Sequence, residues 1–223
     1  SEADADAWWV ALRPDPIDVC APHLEQIGMP GLLDADTSTA IARRDNICTW
    51  GAKGANLATL YQRIDPALQL DGFLIPFSAY DRFVQAGTWQ VDLGEGVGEH
   101  SFQDTLDAWH RDETFLTDAA TRRTQLEALR GAMLVAPVPA DLLADIGARV
   151  IEMTGTDGQM LRFRSSSNAE DGLLFAGAGI YDSKSGCLAD DQDGDVVGPS
   201  RCDPDKANER TVADALRGTW ASL

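Results

Sequence analysis

The residues best suited to chemistry fall between Leu161 and Ser183, LRFRSSSNAEDGLLFAGAGIYDS. Met160, Arg162 and Arg164 alternate with Leu161 and Phe163. That period of two predicts a short strand with one buried face and its arginines on the other. Arg164 ends the strand at a loop of Ser165, Ser166, Ser167 and Asn168. Small polar donors beside a planar guanidinium can hold phosphate oxygens, the guanidinium in bidentate fashion. Glu170 and Asp171 follow at once and could orient the arginine or help carry a magnesium ion. A second glycine-spaced strand, FAGAG, is expected next. An ordinary hairpin with a salt-bridged arginine accounts for the same residues, because exposed pairs of this kind are common and individually weak.

A second candidate lies upstream at Gly51-Ala52-Lys53-Gly54. Glycines here permit backbone geometry denied to other residues, and the amides of a first helical turn point at whatever sits in front of them. An ammonium group at Lys53 would add a full positive charge, so phosphate is the natural guest. The glycine-x4-glycine-lysine-serine/threonine spacing of a P-loop is absent, and a plain glycine turn before a helix fits the residues as well.

The elements that must position these groups alternate helix and strand. Leu57, Leu60, Tyr61 and Ile64 predict a helix over 55–64 that starts just after Lys53. Residues 70–75 read as a buried strand stopped by Pro76. Ser78 with Asp81 gives a capping signal for a helix to Ala86, ended by Gly87. Further helices are expected near 101–112, 118–134 and 139–153. The last begins at Pro139, with Leu142, Leu143, Ile146 and Val150 on one face. Residues 1–45 read as irregular because Pro14, Pro16, Pro22 and Pro30 break long elements, although Trp8, Trp9 and Val10 could form a strand.

Composition narrows the class. The chain has 223 residues, 44% hydrophobic and 24% charged, enough to bury a sizeable core as one large domain or two lobes. Its formal charge of −18 would repel nucleic acid and anionic lipid. No apolar run approaches the roughly 20 residues needed to cross a bilayer, and SEADADAWW lacks the regions of a signal peptide.

Cys20, Cys48, Cys187 and Cys202 are too widely spaced for a zinc or thioredoxin-type pair. Cys187 and Cys202 bracket LADDQDGDVVGPSR, a polar segment with little else to close it, so a disulfide there would leave Cys20 with Cys48. Such bridges imply an oxidising compartment; four reduced, buried thiols are the alternative. Asp190, Asp191, Asp193 and Asp195 resemble part of a calcium loop but lack its terminal glutamate, and a solvated acidic loop is the plainer reading. His23, His100 and His110 read as structural or surface residues. Trp109 and Trp220 fall on apolar helical faces and read as core.

RFRSSSNAED followed by FAGAG resembles the signature of the PEP/pyruvate-binding domain of phosphoenolpyruvate synthase and pyruvate phosphate dikinase. GAKGANL at 51–57, DGFLIP at 71–76 with Tyr80 and Phe83, and ALRGTWASL at 215–223 are similar to other motifs of that family, in the same order. The resemblance runs from about Asn46 to the last residue. It implies an α+β, ATP-grasp-like fold, with ATP and Mg2+ as cofactors and Lys53 and Arg164 on the triphosphate. Ser165, Ser166 and Gly54 would support them. It also implies an irregular extension over 1–45 and, over 46–223, a partial domain ending before the second ATP-grasp lobe.

In the resembled enzymes a histidine on a separate swivelling domain is phosphorylated by ATP and passes the phosphate to an acceptor on another domain. Neither domain is visible in this sequence, so the piece alone is expected to be inactive. The parent would be an ATP-dependent phosphotransferase whose acceptor the sequence does not specify. The resemblance implies a cytoplasmic protein, whereas disulfides at Cys187–Cys202 and Cys20–Cys48 would imply an extracytoplasmic one, for which a non-catalytic binding module that kept the fold is the competing expectation.

Overall fold

The computed structural model of the chain describes residues 4, 7, 8, 10, 40–61, 63–168, 179–195 and 197–222. The chain divides into two compact units, Ser1–Phe77 with Ser166–Ile180, and Ser78–Ser165 with Tyr181–Leu223. Short antiparallel sheets and helices make the fold α+β.

The first unit is organised by helix α1, Ala40–Tyr61, which is interrupted at Gly51. Trp50, Ala52, Ala55 and Ala58 form its buried side. Beyond Tyr61 the chain makes a 3-10 turn at Pro66–Leu68, whose first amides are capped by Asp65. The Tyr61 hydroxyl donates to the Leu70 carbonyl at 2.8 Å. The buried strand expected over 70–75 is therefore not formed. Leu68 and Leu70 are 73% and 79% exposed, and only Leu74 makes a single β-bridge. An apolar run becomes a buried strand only when a neighbour covers and pairs it. Residues 7, 8 and 10 are helical rather than extended, in keeping with the alanines of ADADA, alanine being the strongest helix former.

The second unit begins at Ser78, inside α2, Phe77–Ala86, which starts one residue before the Ser78 cap read from sequence. A hairpin of β1, Thr88–Asp92, and β2, Val97–Ser101, follows in register Thr88↔Ser101 to Asp92↔Val97. Asp92 closes its turn by accepting the Gly94 and Gly96 amides at 2.8 and 3.0 Å. This hairpin was not expected from sequence: its strands bury no residue fully and half-cover little more than alternate ones. Helix α3, Phe102–Trp109, is capped by Ser101, whose hydroxyl accepts the Asp104 amide. A short α4, Glu113–Thr117, precedes α5, Ala119–Val135, and α6, Ala140–Thr154. Pro139 is the cap of α6 rather than its first residue, and Leu142, Ile146 and Val150 are buried along one face.

Strand β3, Leu161–Arg164, pairs antiparallel with β4, Ser183–Gly186, with Arg164 opposite Ser183. The arginines are the exposed residues of β3, as its alternation predicts. The partner of β3 is thus SKSG; most of FAGAG lies outside the described residues, as do Glu170 and Asp171. Helices α7, Leu188–Gln192, and α8, Val212–Trp220, complete the unit. Trp220 packs 5.0 Å from Phe83 between ring centroids, and Phe83 lies 5.8 Å from Phe102. Both phenylalanines are fully buried, so this aromatic group anchors α2, α3 and α8.

Cys187 and Cys202 form a disulfide with a Cα–Cα distance of 5.9 Å. Cys48 is also disulfide-bonded; Cys20, its expected partner, lies outside the described residues. Among the described residues no helix is long and apolar enough to cross a membrane.

Candidate functional site

The glycine-lysine-glycine segment and the serine loop meet in the first unit. Gly51 has φ 75 and ψ 167 within an otherwise helical run. This conformation is essentially restricted to glycine. The break restarts the helix at Ala52 and releases amides that an unbroken helix would bond internally. The loop takes two of them. The Ala52 amide donates to the Ser167 carbonyl at 2.9 Å, and the Gly54 amide donates to Ser166 Oγ at 2.8 Å. Ser166 Oγ itself donates to the Trp50 carbonyl at 2.6 Å. One hydroxyl therefore joins the chain on both sides of the break.

Close approach makes small residues necessary here. A Cβ on Gly51 would fall 2.2 Å from the Ser166 carbonyl oxygen, and one on Gly54 would fall 3.0 Å from Leu74 Cδ1. Lys53 sits half-buried in the first turn after the break. The arrangement also limits what Ser166 can do. Its single proton is given to Trp50, so in this geometry it has none to give a phosphate oxygen. Ser166 and Gly54 act on each other and position the turn that carries Lys53.

Arg164 and Ser165 belong to the second unit. Arg164 is exposed at the end of β3, and Ser165 is only 4% exposed. The neighbouring strand arginine, Arg162, donates to Ser185 Oγ at 3.2 Å across the β3–β4 pair. Trp50 was not recognised as a site residue from sequence, and Ser167 was read there only as one of the loop's side-chain donors. Both contribute a backbone carbonyl, which no side-chain pattern announces. Among the described residues, the acidic side chains gathered closely enough to hold a cation are Asp193, Asp195 and Glu209, in the second unit.

Fold and site define an α+β protein in which the serine loop at Ser166 and Ser167 closes a glycine-lysine-glycine helix start. The chain belongs to the family of the AMP/ATP-binding domain of pyruvate phosphate dikinase, whose family model matches residues 48–197. The match spans both candidate motifs; the TWASL helix resembling a further family motif falls beyond it. No curated protein matches the chain.

Proposed function

We propose that the chain binds ATP, with Lys53 and Arg164 as contacts for the triphosphate, as the nucleotide-binding part of an ATP-grasp-like, dikinase-type phosphotransferase. The observation that carries this reading is the Ser166 clamp on the Gly51 break. A helix start fixed by a kink, its Ala52 and Gly54 amides taken up by the loop, sets the positive end of the helix dipole beside a lysine in the first turn, and both attract phosphate oxygens. Ser166 and Gly54 position that turn, and the buried Ser165 follows Arg164 at the end of β3. Phosphoryl transfer needs little from a protein beyond positioning and charge neutralisation, and magnesium bound with the nucleotide would share the latter. The phosphate would pass through a histidine carried on another domain, since His23, His100 and His110 lack the sequence context of a phosphocarrier.

Calorimetric titration of Mg-ATP into the oxidised chain tests this. Millimolar binding is expected, with Lys53→Ala and Arg164→Ala each reducing it below detection while the thermal unfolding midpoint stays in place. Micromolar affinity indifferent to both substitutions would assign the nucleotide to a different site. A second reading draws on the Cys187–Cys202 disulfide. Such bridges persist in oxidising compartments, where ATP is scarce, and this favours an extracytoplasmic binding module that kept the fold without the chemistry. A folded, oxidised chain that gives no heat with Mg-ATP would support that reading.

A further inference from the structure

We infer that Asp193 and Asp195 of the disulfide-closed segment form a calcium site with Glu209 in the second unit. The segment is built around Asp190, 1% exposed, whose carboxylate accepts the amides of Arg201 at 2.7 Å and Arg210 at 2.8 Å. Asp191 accepts the amides of Val212 and Ala213 at the start of α8. Those two acids are committed to the backbone. Asp193 and Asp195, on either side of the Gly194 turn, are brought to Glu209 from the far side of the loop. One carboxylate oxygen from each of the three lies within 4.8 Å of the others.

Clustered acids alone would be an ordinary solvated surface. Here the Asp193 side chain is 8% exposed, and its Oδ1 is buried with no hydrogen-bond partner. Glu209 Oε2 is buried and unpartnered as well. Arg201 Nη1 lies 3.6 Å from the other oxygen of Asp193, too far for a hydrogen bond. Asp195 Oδ1 accepts the Val197 amide at 3.0 Å, which fixes its carboxylate. A buried carboxylate oxygen without a donor is costly, and a cation would satisfy both orphaned oxygens at once.

The donor set selects the ion. Oxygen ligands alone favour hard cations, and an oxygen-to-oxygen span of up to 4.8 Å suits the roughly 2.3–2.6 Å bonds and flexible geometry of calcium. Magnesium, with bonds of about 2.0–2.1 Å and a demand for a near-ideal octahedron, fits less well. Glu209 also replaces the terminal glutamate that the local aspartate run lacks. The competing account is that the cluster holds a proton: a hydrogen bond that protonated Glu209 donates to the Asp195 carboxylate, followed by burial, pushes Glu209 up to about 7.

The test is calorimetry on the oxidised full chain, stripped with chelator and titrated with calcium chloride in roughly 0.1 M salt at pH 8. One calcium per chain is expected, with Kd of about 0.1–1 mM, the range of extracellular modules. Magnesium should bind at least about tenfold more weakly, and Asp193→Asn and Glu209→Gln should each weaken calcium at least about tenfold. Asp182→Asn, an exposed acid elsewhere in the unit, should leave it unchanged. Absence of saturable binding to the unmutated chain up to roughly 10 mM calcium would overturn the site in favour of the shared proton. So would binding that both conservative variants leave intact, and neither result depends on whether ATP binds.

Discussion

Ser166 and Gly54, 112 positions apart in sequence, are joined by a hydrogen bond of 2.8 Å from the Gly54 amide to the Ser166 hydroxyl. The same hydroxyl holds the Trp50 carbonyl, so a side chain of the serine loop carries the geometry of the helix start. A direct consequence concerns stability. Ser166→Ala leaves an amide and a carbonyl unpaired in a part-buried place and should cost about 1–3 kcal/mol. Gly51→Ala should cost more, because it adds an unfavourable conformation of about 1–3 kcal/mol to a Cβ that would clash with Ser166. Urea unfolding of both variants measures this. An effect of Ser166→Ala under about 0.5 kcal/mol would show that the clamp contributes nothing.

The Cys187–Cys202 bridge closes a separation of 15 residues, for which loop entropy predicts about 3 kcal/mol. Replacing both cysteines by serine should lower the unfolding free energy by that order. Limited proteolysis should then cut between residues 188 and 201 before anywhere else in the second unit. Equal resistance of the oxidised and substituted proteins would assign the order of the segment to Asp190 alone.

Asp190 offers a sharper dissection of the same segment. Asp190→Ala removes the acceptor for two part-buried amides and should destabilise by about 2–5 kcal/mol. Asp190→Asn keeps one acceptor oxygen and should fall between it and the unmutated chain. Chemical denaturation of the three proteins gives the ranking, and an asparagine variant as damaged as the alanine one would mean that charge, not hydrogen bonding, is what the loop requires.

Asp182 supplies a pH dependence with a definite sign. Lys184 Nζ at 3.2 Å and Arg130 Nη2 at 3.0 Å flank its carboxylate. The Lys184 hydrogen bond and charge, opposed by slight burial and aided by Arg130, hold the carboxyl below its usual range. A depressed folded-state value means that the stabilisation is present above the unfolded value of about 3.9 and is lost as pH falls through the folded one. Asp182→Asn should therefore flatten the acid side of the stability curve, its effect shrinking as pH falls through the folded-state value. Because the side chain is 43% exposed, a double-mutant cycle with Lys184 should give under about 1 kcal/mol. Coupling that persists undiminished at pH 2 would rule out the ion pair as its source.

Local pattern was enough for the elements whose burial is one-sided and long. The apolar face of α6 and the alternation in β3 fix helix, strand and the outward direction of Arg162 and Arg164, because side-chain periodicity follows directly from backbone geometry. The helix start at Lys53 was legible for a similar reason: a glycine before a periodic run marks a break, and Gly51 makes one. Residues 70–75 failed the same method. Their apolar run resembles a buried strand, but Leu70 is tied to Tyr61 and left exposed, and whether a run is covered depends on a neighbour the run does not encode. The hairpin at 88–101 escaped for the converse reason, since pairing supplies what its weak pattern lacks.

The candidate sites divide along the same line. Residue types in the sequence singled out an arginine, a lysine and a set of serines as groups able to meet an anion, and showed that acids crowd the segment after Cys187. The tertiary structure alone decided that the Ser166 proton goes to Trp50 and that Glu209 joins Asp193. Hydrogen bonds and carboxylate clusters act over a few ångströms, and the chain brings such partners within that range only after folding has closed loops of tens to more than a hundred residues.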